Sequence, residues 1–176
     1  MDPQEIIKYC PRCKYELELT RSNRLFCNKC SYIQYISPVP CNSLIVTNKT
    51  GEILLIERKN EPRAGYWDLP GGFIELNEDV EASVIREVKE ETNLDLKTSD
   101  LHYISSNINR YLYKGVNEYL VSIAYQANYP EGQTLIVGDD AKSTKFFKPS
   151  EIPWDKIAFT SVVATIKTYI EKSGAI

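Results

Sequence analysis

The sequence lacks any apolar run approaching the ~18 residues needed to cross a bilayer. Its start, MDPQEIIKYC, lacks the basic-then-apolar order of a secretion signal. Both absences lead us to expect a cytoplasmic protein with no membrane partner. Positive charge is not in excess either: 21 lysines and arginines face 24 acidic residues, a net charge of −3. A global basic field for holding nucleic acid is therefore excluded. Histidine is nearly absent, and the single one, His102, is read as structural rather than catalytic. No internal repeat, low-complexity tract or helix-turn-helix segment is visible. What remains is an ordinary globular composition, 43% hydrophobic and 26% charged, in a chain of 176 residues that can bury a real core.

Cysteine is better represented. Cys10, Cys13, Cys27 and Cys30 form two C-x2-C pairs within CPRCKYELELTRSNRLFCNKC. A reducing compartment disfavours disulfides, and no thioredoxin-like βαβ pattern surrounds the pairs. Two knuckles separated by a hairpin-sized segment read as a zinc site of four thiolates, with Zn–S bonds of about 2.3 Å. Four sulfurs close the coordination sphere, so such a zinc is structural and holds no reactive water. Between the knuckles, alternating strand-like residues flank a turn at Ser22-Asn23. Cys41 stands alone in PVPCNSLIV and reads as a small apolar residue opening a strand.

Residues 1–36 are therefore expected to form a zinc ribbon, and SPVP at 37–40 opens a second domain, 37–176, with a stiff non-helical joint. In that domain NSLIVT and EILLIER are strand-like runs around a turn at 48–51. The periodicity predicts a helix over 79–92. Further strands are expected in LHYISSNINRYLY, NEYLVSIAYQANY and KSTKFFKPS, the first two joined by a turn at 114–117. FTSVVATIKTYIEKS reads as a helix capped by Thr160 or Ser161, burying Val162, Val163, Ile166, Tyr169 and Ile170 on one face. The order of elements predicts an α/β domain, a mixed sheet between helices.

The segment from Gly71 to Leu94 is strongly acidic: six glutamates and one aspartate against one arginine and one lysine. On a helix, Glu87, Glu90 and Glu91 share one face, with Val84, Ile85 and Val88 on the neighbouring, core-directed face. Two carboxylates ~6 Å apart repel by about 3 kcal/mol at an effective dielectric near 20. A divalent cation relieves that repulsion, and hard Mg2+ or Mn2+ suits oxygen ligands. A plain solvated acidic face is the alternative on charge alone.

The spacing decides between them. Gly72, then Glu78, then Arg86-Glu87-Val88-Lys89-Glu90-Glu91-Thr92-Asn93-Leu94 closely resembles the Nudix box, G-x5-E-x7-R-E-U-x-E-E-x-G-U. Asn93 stands where that family has glycine, and asparagine is the next-best residue for a left-handed helix end. The lead-in GYWDLPGG also looks like the family's. The resemblance implies a Nudix fold, a mixed sheet sandwiched between helices. It implies hydrolysis of a nucleoside diphosphate linked to another moiety, an ADP-ribose, NADH or FAD-like small molecule, with release of AMP. Nucleoside triphosphates, capped RNA, or nucleotide sensing without catalysis are the alternatives. Carried over by position, Glu87, Glu90 and Glu91 hold Mg2+ or Mn2+, helped by the Gly71 carbonyl. Arg86 orients the carboxylates, Glu78 braces the turn, and Glu87 or Glu90 is the general base. Some relatives add an acid from a later loop, for which Asp139 or Asp140 is placed just before a strand. Arg58 and Arg63 are candidate phosphate contacts, and Tyr66, Phe73 and Tyr111 candidate base-stacking residues. A ribbon followed by this domain resembles the NADH pyrophosphatase group and its relatives, among which homodimers are common. The SQPWPFPxS-type array of the NADH enzymes is absent; the region reads YISSNINRYLYKGVNEYL. The ending SEIPWDKIAFTSVVATIKTYI looks more like relatives of the ADP-ribose pyrophosphatase type.

Overall fold

The structure is a computed structural model that describes residues 1–138 and 141–174, with only the backbone at Tyr111. It divides into two compact units, Met1–Val39 with Arg110–Leu120, and Pro40–Asn109 with Val121–Ile176. Among the described residues no helix is long and apolar enough to cross a membrane.

The first unit opens with a single helical turn, α1 (Pro3–Ile6), followed by a three-stranded antiparallel sheet, β1 (Glu18–Arg21), β2 (Arg24–Phe26) and β3 (Ile33–Tyr35). Its small core is Leu17 and Leu25 packed with Cys10 and Cys27. Three strands and so few apolar side chains make a marginal core, so the cysteine cluster has to supply much of the order. The N-terminal residues hold the 110–120 hairpin tip. Met1 N donates to the Gly115 carbonyl at 3.0 Å, and Asp2 Oδ1 accepts from Asn117 Nδ2 at 2.6 Å and the Tyr119 hydroxyl at 2.9 Å. Nothing in the sequence of 110–120 announces that membership.

The second unit is built on β4 (Val39–Thr47) and β5 (Ile53–Arg58), with β6 (Trp67–Asp68), β7 (His102–Tyr113), β8 (Val116–Asn128) and β9 (Ala141–Phe147). The strand order is β6-β5-β4-β8-β7, with β9 also on β5. β5 runs antiparallel to β4, β6 and β9. β4 and β8 run the same way, since Cys41 Sγ meets the Val121 carbonyl and Tyr129 N donates to the Thr47 carbonyl. The sheet is therefore mixed.

Alternation along β4 and β5 feeds two cores. Leu44, Val46 and Leu54 point to one face, where Val84 and Val88 of α2 (Val80–Thr92) cover them. Ile45, Ile53 and Leu55 point to the other, covered by Val162 and Ile166 of α3 (Thr160–Ser173). Val163, Tyr169 and Ile170 complete the buried stripe of α3. Each fully buried aliphatic side chain contributes roughly 1.5–3 kcal/mol, so both helices are fixed on the sheet by packing. The N-cap of α3 is Phe159, not Thr160 or Ser161; Thr160 is already the first helical residue. Packing of Phe159 beside the second core, rather than a hydroxyl cap, sets that start.

α2 starts after Asp79 and ends at Asn93, whose φ of 61° and ψ of 17° are left-handed and whose N–H returns to the Lys89 carbonyl. A Cβ in this conformation costs roughly 1–2 kcal/mol for most L-residues, and asparagine is among the few that visit it routinely. Asn93→Gly should therefore keep or slightly raise stability in urea unfolding, whereas Asn93→Val should lower it by about 1–2 kcal/mol.

Candidate active site and cysteine centre

α2 carries the acidic residues at graded depth. Glu91 is buried, Glu87 half-buried and Glu90 exposed. Helical periodicity explains the gradient, because Glu91 lies next to the Val84–Val88 stripe and Glu90 turns away from it.

One cation ties this face together. Arg86 Nε and Nη2 form a two-point pair with Glu78 at 2.8 and 2.9 Å. Nη1 donates to Glu87 Oε1 at 2.8 Å and to Glu90 Oε2 at 3.2 Å. Nη2 also reaches the Phe73 carbonyl at 3.1 Å and Ser83 Oγ at 3.3 Å. The guanidinium holds the Glu78 carboxyl down to about 2, against the burial that opposes it. Glu87 moves the other way: its burial raises it, Glu90 and Glu78 add to the rise, and Arg86 only partly compensates.

The Gly71-Gly72 pair fits this face by having no side chains. A Cβ on Gly72 would lie 2.4 Å from the Glu87 carboxyl carbon. Gly71, at φ of 146°, would put a Cβ 2.4 Å from the Asn42 carbonyl oxygen. The Gly71 N–H instead donates to Glu91 Oε2 at 2.8 Å. Backbone bonds from Leu44 N to Pro70 O and from Asn42 N to Gly72 O fix the same loop to β4. Glu78, Arg86, Glu87, Glu90, Glu91 and Gly71 thus surround one loop–helix junction.

The other named positions have surroundings of their own. Arg58 pairs with Asp68 at 2.9 Å and donates Nε to the Pro62 carbonyl at 2.9 Å, closing the loop after β5. Asp68 is buried, which pushes its carboxyl up to about 6 despite that partner. The Arg63 guanidinium lies 5.3 Å from the Tyr66 ring centroid and Lys156 Nζ 5.4 Å from it, so two cations approach that ring. Phe73 is exposed, its carbonyl held by Arg86. His102 is exposed at the start of β7, and Cys41 is half-buried in β4. Asp139 and Asp140 lie outside the described residues, as does the Tyr111 side chain. Asn42 and Ser83 approach the site, and Lys156 approaches Tyr66, without any signal in the sequence motif.

In the first unit the four cysteine sulfurs lie together. Cys10–Cys30, Cys13–Cys27 and Cys27–Cys30 are 3.6, 3.5 and 3.6 Å apart. These are far beyond a disulfide bond and close to the ~3.8 Å edge of a tetrahedron with 2.3 Å metal–sulfur arms. The two knuckles have matching geometry. Lys14 and Ser31 have φ of 62° and 59°, and their N–H groups return to the Cys10 and Cys27 carbonyls at 2.9 Å. Burial opposes ionisation of Cys27, but N–H groups of Cys30 and Lys29 outweigh it and bring the thiol down to about 7. At Cys30 the Tyr32 N–H favours the thiolate, yet burial and the neighbouring sulfurs prevail and raise it to about 12. Four crowded sulfurs can ionise together only around a cation, and the cluster is placed to hold a metal ion.

The family profile described as NUDIX domain matches residues 39–164. The chain therefore belongs to the Nudix family, and it is a pyrophosphohydrolase. It is 39% identical over 128 residues to an ADP-ribose pyrophosphatase of Methanocaldococcus jannaschii, covering 73% of this chain and 71% of that protein. It is 25% identical over 147 residues to the NAD-capped RNA hydrolase NudC of Pectobacterium carotovorum, covering 83% of this chain and 53% of that protein. The chain thus spans about half the length of that relative. A solved NUDIX hydrolase from Nitrosomonas europaea matches with a TM-score of 0.70 and 26% identity, over 96% of this chain and 93% of that one.

The Arg86–Glu78 pair makes a pH prediction. The Glu78 carboxyl is ionised more readily in the fold, at about 2, than at its ordinary 4.5. Its contribution to stability is therefore complete above about pH 4.5 and is lost as pH falls toward 2. Acid unfolding of Glu78→Gln should show a shallower loss of stability across that window and a lower starting stability at neutral pH. An unchanged slope would remove Glu78 from this role.

Proposed function

We propose that this chain hydrolyses the pyrophosphate of a nucleoside diphosphate linked to another moiety, with ADP-ribose as the leading substrate and AMP as a product. The observation that carries the reading is the carboxylate face of α2, organised by Arg86 against a glycine pair that lets a loop backbone approach it. The 39% identity to a protein named as an ADP-ribose pyrophosphatase supports the choice of substrate. Capped RNA is the second reading, favoured by the similarity to NudC.

Glu87, Glu90 and Glu91, with the Gly71 carbonyl, would hold Mg2+ or Mn2+; such an ion screens the phosphates and lowers the pKa of a bound water. These ligands are hard oxygens at one loop–helix junction, which suits either ion. Arg86 and Glu78 keep the carboxylates aligned. Glu87 or Glu90 accepts the proton of the attacking water. Asp140 is a further candidate ligand. Arg63 and Lys156, both near the Tyr66 ring, are the candidate contacts for substrate phosphate, and Phe73 offers an exposed ring for a base. Arg58 is proposed to act on phosphate only through the loop that it closes with Asp68.

In the first unit we assign the metal as structural Zn2+, held by Cys10, Cys13, Cys27 and Cys30. Residues 1–36 then form a ribbon and 37–176 the catalytic domain. The protein works in the cytoplasm on small nucleotides, as a monomer or homodimer.

The decisive assay compares AMP release from ADP-ribose, NADH and FAD with pyrophosphate release from nucleoside triphosphates and with decapping of NAD-capped RNA. ADP-ribose should be cleaved fastest, and only with Mg2+ or Mn2+ present. Glu90→Gln and Glu91→Gln should each reduce turnover beyond the roughly 10–100-fold typical of outer-shell partners of a metal. Full activity in either variant would defeat the assignment. For the cysteines, elemental analysis should find one zinc per chain, reduced in Cys13→Ser; protein with no zinc would count against the ribbon.

A further inference from the structure

The acidic face depends on how Arg86 is aimed, and a buried polar pair outside the sequence motif bears on that aim. Ser83 lies on α2 one turn before Arg86 and is fully buried; Asn42 lies on β4 and is 4% exposed. They sit among aliphatic residues between sheet and helix, where polar groups are costly unless hydrogen-bonded. Asn42 Nδ2 donates to Ser83 Oγ at 2.8 Å. Arg86 Nη2 also donates to that oxygen, at 3.3 Å. Ser83 in turn donates its hydroxyl proton to the Phe73 carbonyl at 3.4 Å. A hydroxyl offers one donor and two acceptor lone pairs, so this one is used completely. Its proton is committed to Phe73, and its lone pairs hold an amide and a guanidinium.

That commitment fixes the amide as well. Asn42 must turn Nδ2 toward Ser83, and its buried Oδ1 is left with no hydrogen-bond partner among the described residues. With Ser83 Oγ as its hydrogen-bond partner, the amide leaves one end unpaired whichever way it turns, and the setting found supplies a donor to the oxygen of Ser83, which also receives the Nη2 edge of Arg86. Arg86 Nη1, on the same planar group, bridges Glu87 and Glu90. Rotation of the guanidinium about its Glu78 pair would carry Nη1 off both carboxylates.

We propose that Asn42 and Ser83 are positioning residues that set the orientation of Arg86 and thereby the spacing of Glu87 and Glu90. The inference rests on the catalytic reading of that face. Neither residue touches substrate; each acts through the guanidinium.

A single and a double variant together separate this role from a purely structural one. Ser83→Ala alone strands the Asn42 amide in the core, so both stability and activity should fall. Asn42→Val combined with Ser83→Ala removes both polar groups and leaves apolar neighbours, which restores most of the stability. In that double variant kcat should stay about tenfold below the parent while KM is unchanged. Recovery of kcat together with stability would overturn the proposal. An NMR readout does not depend on turnover. The Arg86 Nε–H resonance, which the bond to Glu78 should keep sharp and protected in the parent, should broaden and exchange faster in the double variant. An unaltered resonance would also overturn it. If the parent cleaves none of the nucleotides, the catalytic reading fails, while the resonance still decides whether the pair orients Arg86.

Discussion

One guanidinium governs the acidic face of α2. Arg86 meets Glu78, Glu87 and Glu90 at once, so charges that would otherwise repel at helical spacing are drawn around a common centre. The bonds are unequal in kind. The pair with Glu78 is two-pronged and partly shielded from solvent, which anchors one edge of the group. The contacts to Glu87 and Glu90 share a single nitrogen, and Glu90 is largely exposed. The geometry therefore has a rigid side, toward the turn before the helix, and a softer side, toward the carboxylates that would meet a metal.

Backbone completes what the charges begin. Glu91 holds the Gly71 N–H, and Asn42 and Leu44 hold the carbonyls on either side of that glycine. Sheet, loop and helix are thereby registered against one another within a few bonds. Precise placement of catalytic groups requires such support, because errors of even 1 Å can carry large rate penalties. The loop after β5 is secured separately by Arg58 and buried Asp68.

Much of this was legible in the chain's own letters, because the relevant signals are local. The spacing of Glu87, Glu90 and Glu91 follows helical periodicity, and the left-handed end at Asn93 follows from the residue's tolerance of positive φ. The alternation of Leu44, Ile45 and Val46 marks a strand buried on both faces. The paired cysteines announce their own convergence. What stayed hidden depends on contacts between distant segments. Asn42 reads as an ordinary strand residue until Ser83, 41 positions away, is seen against it. β6 has only two residues, too few for any periodicity. Phe159 begins α3 without a polar cap because tertiary packing outranks local preference there. The attachment of Asn117 and Tyr119 to Asp2 has no sequence correlate at all.

β4 has a consequence that reaches beyond its own hydrogen bonds. The strand supplies Leu44 and Val46 to one core and Ile45 to the other, and two residues earlier it supplies the amide facing Ser83. A single inserted or deleted residue within 41–46 would exchange the faces of everything beyond it. Both interiors and the loop–helix junction would be misregistered together. A change of length in this strand would therefore disturb both faces of the second unit at once.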